Sequence, residues 1–330
     1  MNISVMNGSE MQDNELTILM PLYNDWDALS LLLPILDREL KADGLTAGIL
    51  IVDDGSTEAV PENLGARFES IKTIDVLSLR RNLGHQRAIA VGLSYIEANQ
   101  PQCSVVIMDS DGEDDPKDVL RLVRECDANR CEKIVFAART RRSEGWTFAF
   151  FYHLYRLIHF LLTGVHVRVG NFSIVPPDAL KRLVAVSELW NHYAAAVHKA
   201  KLPLELIPSQ RAGRLKGPGR MDMVSLVVHG LSAMAVFGDR IGVRLLIVVS
   251  AGMVVTVTAL TIVIAIRLAT DLAIPGWATY ATGLLLVMLI QMLLVILVFV
   301  FVILAARNAA NVLPTRDYVH IMGSRQRIYG

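Results

Sequence analysis

The sequence predicts an α/β domain with a mostly parallel sheet, followed by a hairpin of two membrane-spanning helices. Short β-rich runs alternate with helical patterns from residue 16 to about residue 140, and this order is typical of a sheet covered by helices on both faces. One of the runs ends in a dense cluster of carboxylates at residues 109–115. Two long uncharged segments, 245–266 and 281–306, lie in the last third of the chain.

The first part of the chain supplies the strands and helices of this domain, which we expect to span residues 16–220. Residues 1–15 are polar and lack an apolar core, so they are predicted to be a disordered tail and not a signal peptide. Apolar residues at helical spacing predict helices at Asp27–Leu40, Gly84–Ile96 and Pro116–Cys126. The β-rich runs predict strands at Leu16–Leu22, Gly48–Val52, Thr73–Leu79, Ser104–Met108 and Lys133–Ala137.

The two uncharged segments each exceed the roughly 20 apolar residues that a membrane-spanning helix needs. A pair of buried core helices is the alternative. The short polar connection, 267–280, contains Pro275-Gly276 and fits a helical hairpin over residues 241–310. The connection has one arginine, Arg267, which is offset by Asp271. Arginines flank both spans on their outer sides: Arg240 and Arg244 precede the first span, and Arg307, Arg316, Arg325 and Arg327 follow the second.

By the positive-inside rule, this charge distribution places the catalytic domain, both termini and the C-terminal tail, 311–330, in the cytoplasm. The protein is therefore expected in an inner or plasma membrane as a two-span protein. A shorter aromatic segment, about 147–163, suits a helix lying in the headgroup plane, with a core helix as the alternative. Residues 221–240 are predicted to form a second interfacial helix beside the membrane. Exposed apolar faces on the spans could pair between chains, which would give a homo-oligomer.

Charge and cysteine content exclude other classes. The 32 basic and 32 acidic residues give a formal net charge of zero, so no global field favours a nucleic-acid partner. The three cysteines, Cys103, Cys126 and Cys131, have no metal-site spacing and an odd count. We expect reduced thiols in a cytosolic domain.

The carboxylate cluster is the strongest candidate for a site. In an α/β sheet, ligands bind beyond the carboxyl ends of the strands, which places Asp109, Asp111 and Glu113 at the mouth of a site. Like charges packed this closely are costly unless a cation or water screens them. Mg²⁺ or Mn²⁺ takes carboxylate oxygens and substrate phosphates together. A solvated acidic loop is the alternative.

Polar residues also follow the first two predicted strands. Asp53 and Asp54 follow the second strand and could accept hydrogen bonds from a base or ribose hydroxyl. Tyr23, after the first strand, could stack on a base.

After the third strand, Ala88 and Gly92 are one helical turn apart, which allows a helix to approach the sheet closely.

Four segments follow strands in a characteristic order: Pro21-Leu22-Tyr23-Asn24, Val52-Asp53-Asp54-Gly55-Ser56-Thr57, Arg81-Asn82-Leu83-Gly84 and Asp109-Ser110-Asp111. Taken together, they resemble glycosyltransferase family 2. With the two C-terminal spans, the chain is similar to the polyprenyl-phosphate branch, which includes dolichyl-phosphate mannose synthases and bacterial undecaprenyl-phosphate glucosyltransferases. The resemblance implies a GT-A, Rossmann-like nucleotide-sugar-binding domain.

The resemblance also implies roles for individual residues. Asp111 and Glu113 are implied to hold Mg²⁺ or Mn²⁺, and Asp109, Asp111 and Arg139 are implied to be catalytic. Asn171 stands where the family has an aspartate. The residues implied to hold the UDP- or GDP-sugar are Pro21, Tyr23, Asp25, Asp53, Asp54 and Asp109.

A basic loop before the membrane segment, residues 210–220, resembles the family's R-x-x-G-x-S-K stretch, with Gly219 where the family often has serine. Several cations on a Gly/Pro-rich loop suit phosphate capture at a membrane surface. Attraction to anionic headgroups without catalysis is the alternative, and both roles could coexist. The candidate acceptor- or phosphate-binding residues are Arg139, Arg211, Arg214, Lys216 and Arg220.

These features together predict a membrane-anchored, inverting, metal-dependent glycosyltransferase. Its acceptor would be a polyprenyl phosphate, undecaprenyl or dolichyl. One alternative is transfer to another lipid or glycan, although two spans form no evident channel and no Q-x-x-R-W segment of a processive synthase is present. The other alternative is a catalytically silent, membrane-anchored nucleotide-sugar-binding module.

Overall fold

The computed structural model describes residues 16–61, 64, 67–139, 157–165, 169–217, 223–270, 274, 276–308 and 312–330. The chain forms two compact units. The first contains the described residues up to 139 together with 169–236 and 312–330, and the second contains the described residues of 157–165 and 237–308.

The first unit is built on one mixed sheet. Its strands are β1 (Leu16–Leu22), β2 (Ala47–Asp53), β3 (Ile71–Leu79), β4 (Ser104–Ile107), β5 (Ile134–Arg139), β6 (Ser173–Val175), β7 (Leu204–Ser209) and β8 (Met322–Tyr329). The structure also describes helices α1 (Trp26–Ala42), α2 (His85–Asn99), α3 (Pro116–Ala128), α4 (Pro177–Val184), α5 (Tyr193–Lys199), α6 (Met223–Ala235), α7 (Gly238–Ala269), α8 (Trp277–Asn308) and α9 (Pro314–Ile321).

The strand order is β7-β5-β6-β4-β1-β2-β3-β8. Strands β6 and β8 run antiparallel to their neighbours, and the other strand pairs are parallel. The predicted α/β fold with a mostly parallel sheet is confirmed, and all five predicted strands are present. Six parallel strands therefore direct their carboxyl ends, and the loops that follow them, to one edge of the sheet.

Side chains alternate between the two faces of the central strands, and each face carries its own apolar core. Ile18 and Met20 of β1 pack with α1 and α3 on one face. Leu19 and Val52 pack with α2 on the other face. Because both faces are covered, these strands have continuous apolar sequences without polar alternation.

Gly92 fixes the distance between α2 and the sheet, as the sequence predicts. A Cβ atom at this position would lie 2.4 Å from Leu19 Cδ1 and 2.8 Å from Val52 Cγ2. We therefore expect Gly92→Val to lower the free energy of unfolding by about 1–3 kcal/mol, the usual cost of overpacking a core. Urea denaturation followed by circular dichroism measures this change. Gly213→Ala, where an added Cβ meets no atom within 4 Å, is the control, and equal losses in both variants would contradict the packing argument.

The C-terminal segment, expected only as a tail, completes the sheet. After α9, strand β8 pairs with β3, and Asp75 on β3 accepts hydrogen bonds of 3.1–3.3 Å from Arg325 and Arg327. Tyr329 Oη donates to the carbonyl of Phe68 at 2.9 Å. Most of β8 is exposed, so ion pairs fix this strand where its polar sequence supplies little apolar burial.

Ionisation of Asp75 stabilises this edge. Burial opposes its ionisation, but the hydrogen bonds from Arg327 and Arg325 outweigh burial and hold the pKa of Asp75 below its ordinary value of 3.8. A depressed pKa stabilises the fold above the unfolded-state value and loses that contribution as pH falls through the folded-state value. Asp75→Asn is expected to lower the free energy of unfolding at pH 7 by about 1–3 kcal/mol. In urea titrations the difference from the parent protein should shrink below pH 3.8, and a pH-independent difference would contradict this account.

The second unit contains the two long apolar helices. Helices α7 and α8 each have 32 residues, about 48 Å at 1.5 Å per residue. Both are long and apolar enough to cross a membrane. In the most apolar stretch of each helix, 6% and 0% of the residues are buried, respectively. They extend beyond the predicted spans, 245–266 and 281–306. Gly242 lies opposite Ile303 and Gly252 opposite Met292, so the two helices pack antiparallel as a hairpin.

The two predicted interfacial helices are described in part. Residues 157–163 are helical, with Leu157 and Leu161 exposed, and residues 147–156 lie outside the described residues. Arg244 Nη1 donates to the carbonyl of Leu161 at 2.6 Å, which ties the end of this short helix to α7. The helix predicted at 221–240 corresponds to α6 and the start of α7, and Leu231 of α6 is exposed. Their position at a membrane surface stays a prediction.

Candidate active site

The loops after β1 and β2 form one structural piece at the carboxyl edge. Asn24, in the left-handed region with φ 51°, accepts hydrogen bonds from the backbone N–H groups of Thr57 and Glu58 at 2.8 and 3.1 Å. Asp53 is buried and accepts from Ser56 N at 2.9 Å. Tyr23 is 41% exposed, so its ring faces solvent at the rim where base stacking is predicted.

Pro21 and Asp54 lie at this edge and accept hydrogen bonds from neighbouring loops. Pro21 is buried in β1, and its carbonyl accepts from Ser110 Oγ at 3.1 Å. Asp54 is buried and accepts from Leu83 N at 2.7 Å and Gly84 N at 2.8 Å, one bond to each oxygen. Burial raises the pKa of Asp54, and these two bonds oppose that rise. Both residues therefore help to hold the framework of this edge, and the nucleotide contact that the resemblance implies for them stays a prediction.

The acidic loop after β4, residues 109–115, is stabilised by hydrogen bonds to its own carboxylates. Asp114 Oδ2 accepts from Asp109 N at 3.0 Å, and Asp111 Oδ1 accepts from Glu113 N at 2.9 Å. Gly112 has φ +84°, and a Cβ there would lie 2.5 Å from Leu215 Cγ. The loop therefore has a fixed shape that depends on a glycine at its centre and on the segment that carries Leu215.

That segment is the basic loop, which follows β7 and lies against the acidic loop. Leu215 N donates to the carbonyl of Asp111 at 3.0 Å, and Ala212 N donates to that of Glu113 at 2.9 Å. These two backbone bonds hold the loops together independently of their side-chain charges. The sequence placed both loops near a site and did not predict their direct contact.

The predicted phosphate-binding cations pair with the predicted metal- and nucleotide-binding carboxylates. Arg214 Nη1 donates to Asp111 Oδ2 at 2.8 Å, and Arg214 Nη2 donates to Asp25. Its side chain is only 13% exposed, so water screens these two pairs weakly. Arg211 pairs with Glu113. Lys216 Nζ lies 2.7 Å from Asp27 Oδ2, where both side chains are exposed.

A second polar cluster at the same edge contains His85 and Gln86, for which the sequence motifs predict no role. His85 Nε2 lies 3.3 Å from Asp109 Oδ1 and 2.9 Å from Asn171 Nδ2. Gln86 donates to Asn171 Oδ1 at 3.1 Å and accepts from Tyr193 N at 2.7 Å. The sequence signal was the position of His85 and Gln86, directly after the turn at Gly84. Asn171 reaches this edge because it precedes the antiparallel strand β6.

The chemistry of the acidic loop fits a hard divalent ion. Asp111 and Glu113 offer carboxylate oxygens, which suit Mg²⁺ or Mn²⁺. Within the described ranges, no three His, Cys, Asp or Glu side chains converge as metal ligands. Arg139 ends β5 at this edge, and its side chain lies outside the described residues, as does the whole of Arg220.

This geometry is accompanied by a match to a known family. Residues 17–184 match the sequence profile described as Glycosyl transferase family 2, which covers half of the chain. The chain belongs to glycosyl transferase family 2. The match covers β1 to α4 and therefore includes the acidic loop, but it ends before the basic loop and the long apolar helices.

Three relatives are similar to this chain over different lengths. The uncharacterized glycosyltransferase YkcC of Bacillus subtilis is 25% identical over 275 residues, 80% of each chain. An uncharacterized Synechocystis glycosyltransferase is 28% identical over 175 residues, 51% of this chain and 53% of that protein. The undecaprenyl-phosphate 4-deoxy-4-formamido-L-arabinose transferase of Edwardsiella ictaluri is 30% identical over 132 residues, 39% of this chain and 38% of that protein. This chain thus spans about half or less of two of these relatives.

A solved structure shares the fold. Glucosyl-3-phosphoglycerate synthase of Mycobacterium tuberculosis, crystallised with Mn²⁺, UDP-glucose and phosphoglyceric acid, superposes with a TM-score of 0.50 at 17% identity. The superposition covers 70% of this chain and 80% of that one. The first unit therefore has the GT-A-like fold that the resemblance implies.

Proposed function

We propose that this family 2 glycosyltransferase transfers a sugar from a UDP- or GDP-sugar to a polyprenyl phosphate, with inversion at the anomeric carbon. The observation that carries the proposal is the contact between the acidic loop and the basic loop at the carboxyl edge, through Arg214, Asp111 and Asp25. Two anionic substrates, a nucleotide diphosphate and a lipid phosphate, require carboxylates for a metal and cations for phosphate within one site.

The donor would lie across the loops after β1, β2 and β4. We propose that Tyr23, which is exposed, stacks on the base, and that Asp25 and Asp53 accept hydrogen bonds from the nucleoside. Asp109 reaches toward His85 and the Asn171 cluster. We propose that this cluster surrounds the donor sugar, because Asp109 joins it to the acidic loop.

Asp111 and Glu113 would hold Mg²⁺ or Mn²⁺ together with oxygens of the donor diphosphate. When bound, such an ion offsets the charge of the leaving diphosphate. Both carboxylates are now paired with arginines. Binding of the ion would therefore release Arg211 and Arg214, whose guanidinium groups match phosphate oxygens in geometry and charge.

The acceptor phosphate is already anionic near neutral pH, so attack on the anomeric carbon needs no dedicated general base. Positioning of the two anions and neutralisation of the leaving group then account for the rate. Arg211, Arg214 and Lys216 would hold the phosphates from the basic loop. Arg139 and Arg220 are proposed to assist from neighbouring segments.

Helices α7 and α8 would anchor the enzyme in an inner or plasma membrane, close to its lipid acceptor. Their length and exposed apolar surface support this placement, and the arginines outside both spans favour a cytoplasmic catalytic domain. Pairing of the exposed helix faces between chains would give a homo-oligomer.

The direct test uses purified protein in detergent with undecaprenyl phosphate, Mn²⁺ or Mg²⁺, and a panel of radiolabelled nucleotide sugars. Label in the organic phase that disappears with EDTA would support metal-dependent transfer to the lipid and identify the donor. Donor turnover without a lipid product would favour another acceptor. Nucleotide binding without turnover of any donor would favour the silent binding module.

A further inference from the structure

Two of the three cysteines meet at the end of α3 that is remote from the active site. Cys126 lies in the last turn of α3, and Cys131 lies in the turn that leads to β5. Arg130 and Cys131 both adopt left-handed backbone angles, with φ 57° and 54°, and Cys131 N donates to the carbonyl of Cys126 at 2.7 Å. This reversal directs the two side chains together, with Sγ atoms 2.6 Å apart.

The two thiols differ in access to solvent. Cys126 is 1% exposed, whereas Cys131 is partly exposed. The hydrogen bond from Cys126 lowers the pKa of the Cys131 thiol, while burial and the carboxylate of Asp127, at 3.9 Å, act in the opposite direction. Cys131 is therefore the thiol that a soluble oxidant reaches first, and Cys126 is its buried neighbour.

We propose that Cys126 and Cys131 are a redox-modification site that forms a reversible intramolecular disulfide with a small-molecule disulfide such as oxidised glutathione. The Cys131 thiolate attacks one sulfur of the oxidant, which forms a mixed disulfide and releases one glutathione thiolate. The Cys126 thiolate then attacks the sulfur of Cys131 and releases the second glutathione. Two protein thiols are oxidised, one disulfide is reduced, and the two protons from the thiols go to solvent or to the released thiolates.

The location of the pair indicates what oxidation changes. Helix α3 begins at Pro116, next to the acidic loop, and the helical rise from Pro116 to Cys126 is about 15 Å. A bridge would restrain the turn between α3 and β5 without entering the site. Disulfides in cytosolic proteins are usually transient or regulatory, and this pair can be reversed by ordinary thiol exchange.

Thiol counting on the full-length protein in detergent tests the proposal independently of glycosyl transfer. The reduced protein is incubated with oxidised glutathione, and thiols are then titrated under denaturing conditions beside an intact-mass measurement. The expected result is a fall from three thiols to one, with a mass loss of two hydrogen atoms. Three persisting thiols, a stable glutathione adduct or a disulfide-linked dimer would each overturn the proposal.

Two variants identify the thiols involved. Cys131→Ser is expected to retain both of its remaining thiols, since Cys126 is buried and Cys103 is 2% exposed beside Thr17. Cys103→Ser is expected to lose both of its thiols. If Cys131→Ser loses two thiols, or Cys103→Ser retains two, a different pair is oxidised and the assignment fails.

Discussion

Asp111→Asn is expected to reduce sugar transfer by about 10²- to 10³-fold, the cost of removing one group that stabilises developing charge. Asn keeps the shape of the side chain and an oxygen for Glu113 N, which lies 2.9 Å from Asp111 Oδ1. It removes the charge that would bind the divalent ion and that now pairs with Arg214. Initial rates of lipid glycosylation, measured over a range of Mn²⁺ concentrations, show whether excess metal restores part of the activity.

Asp27→Asn is the matched control for this substitution. Asp27 also pairs with a cation of the basic loop, Lys216, but its side chain is 75% exposed, and exposed pairs contribute at most about 1 kcal/mol. We expect this variant to stay within severalfold of the parent rate. The thermal unfolding temperatures of both variants should match that of the parent protein. Full activity of Asp111→Asn in a folded sample would remove Asp111 from the metal site.

The central sheet could be predicted because local sequence encodes it. Strands β1 to β5 are short apolar runs, most of them separated by helical patterns, and this alternation predicts that they run parallel. Gly92 was identified as a point of close approach from its spacing to Ala88, and it lies against Leu19 and Val52. Asp111 and Glu113 were placed at the mouth of a site because they directly follow a buried strand.

Other features depend on contacts that no local pattern records. Arg214 meets Asp25 and Asp111 across 189 and 103 residues of chain, so its pairing with the acidic loop could not be deduced from spacing. Strand β8 has an exposed, polar sequence without the alternation that marks a half-buried strand. The resemblance correctly identified the family, whereas the hydrogen bonds that Asp54 accepts from Leu83 N and Gly84 N depend on how the loops after β2 and β3 meet.

The second large effect is expected at Arg214. Arg214→Ala should lower kcat/KM for transfer by about 10²-fold, since it removes a cation placed to stabilise the phosphates. The same change should tighten Mn²⁺ binding in the absence of donor by about tenfold, equivalent to about 1.4 kcal/mol. The reason is that Asp111 and Asp25 lose the guanidinium that now competes with the ion. Rates give the first quantity, and Mn²⁺ titration followed by electron paramagnetic resonance gives the second.

These opposite shifts separate a role at the site from simple damage to the fold. A misfolded edge would weaken metal binding and transfer together, whereas loss of a competing cation strengthens the first and weakens the second. Lys216→Ala, on the same loop but with a 57% exposed side chain, should leave Mn²⁺ affinity nearly unchanged. Arg214→Lys should recover only part of the activity, because a lysine cannot donate to Asp25 and Asp111 through a rigid fork. Weaker Mn²⁺ binding in a folded Arg214→Ala protein would mean that Arg214 organises the acidic loop and does not compete with the ion.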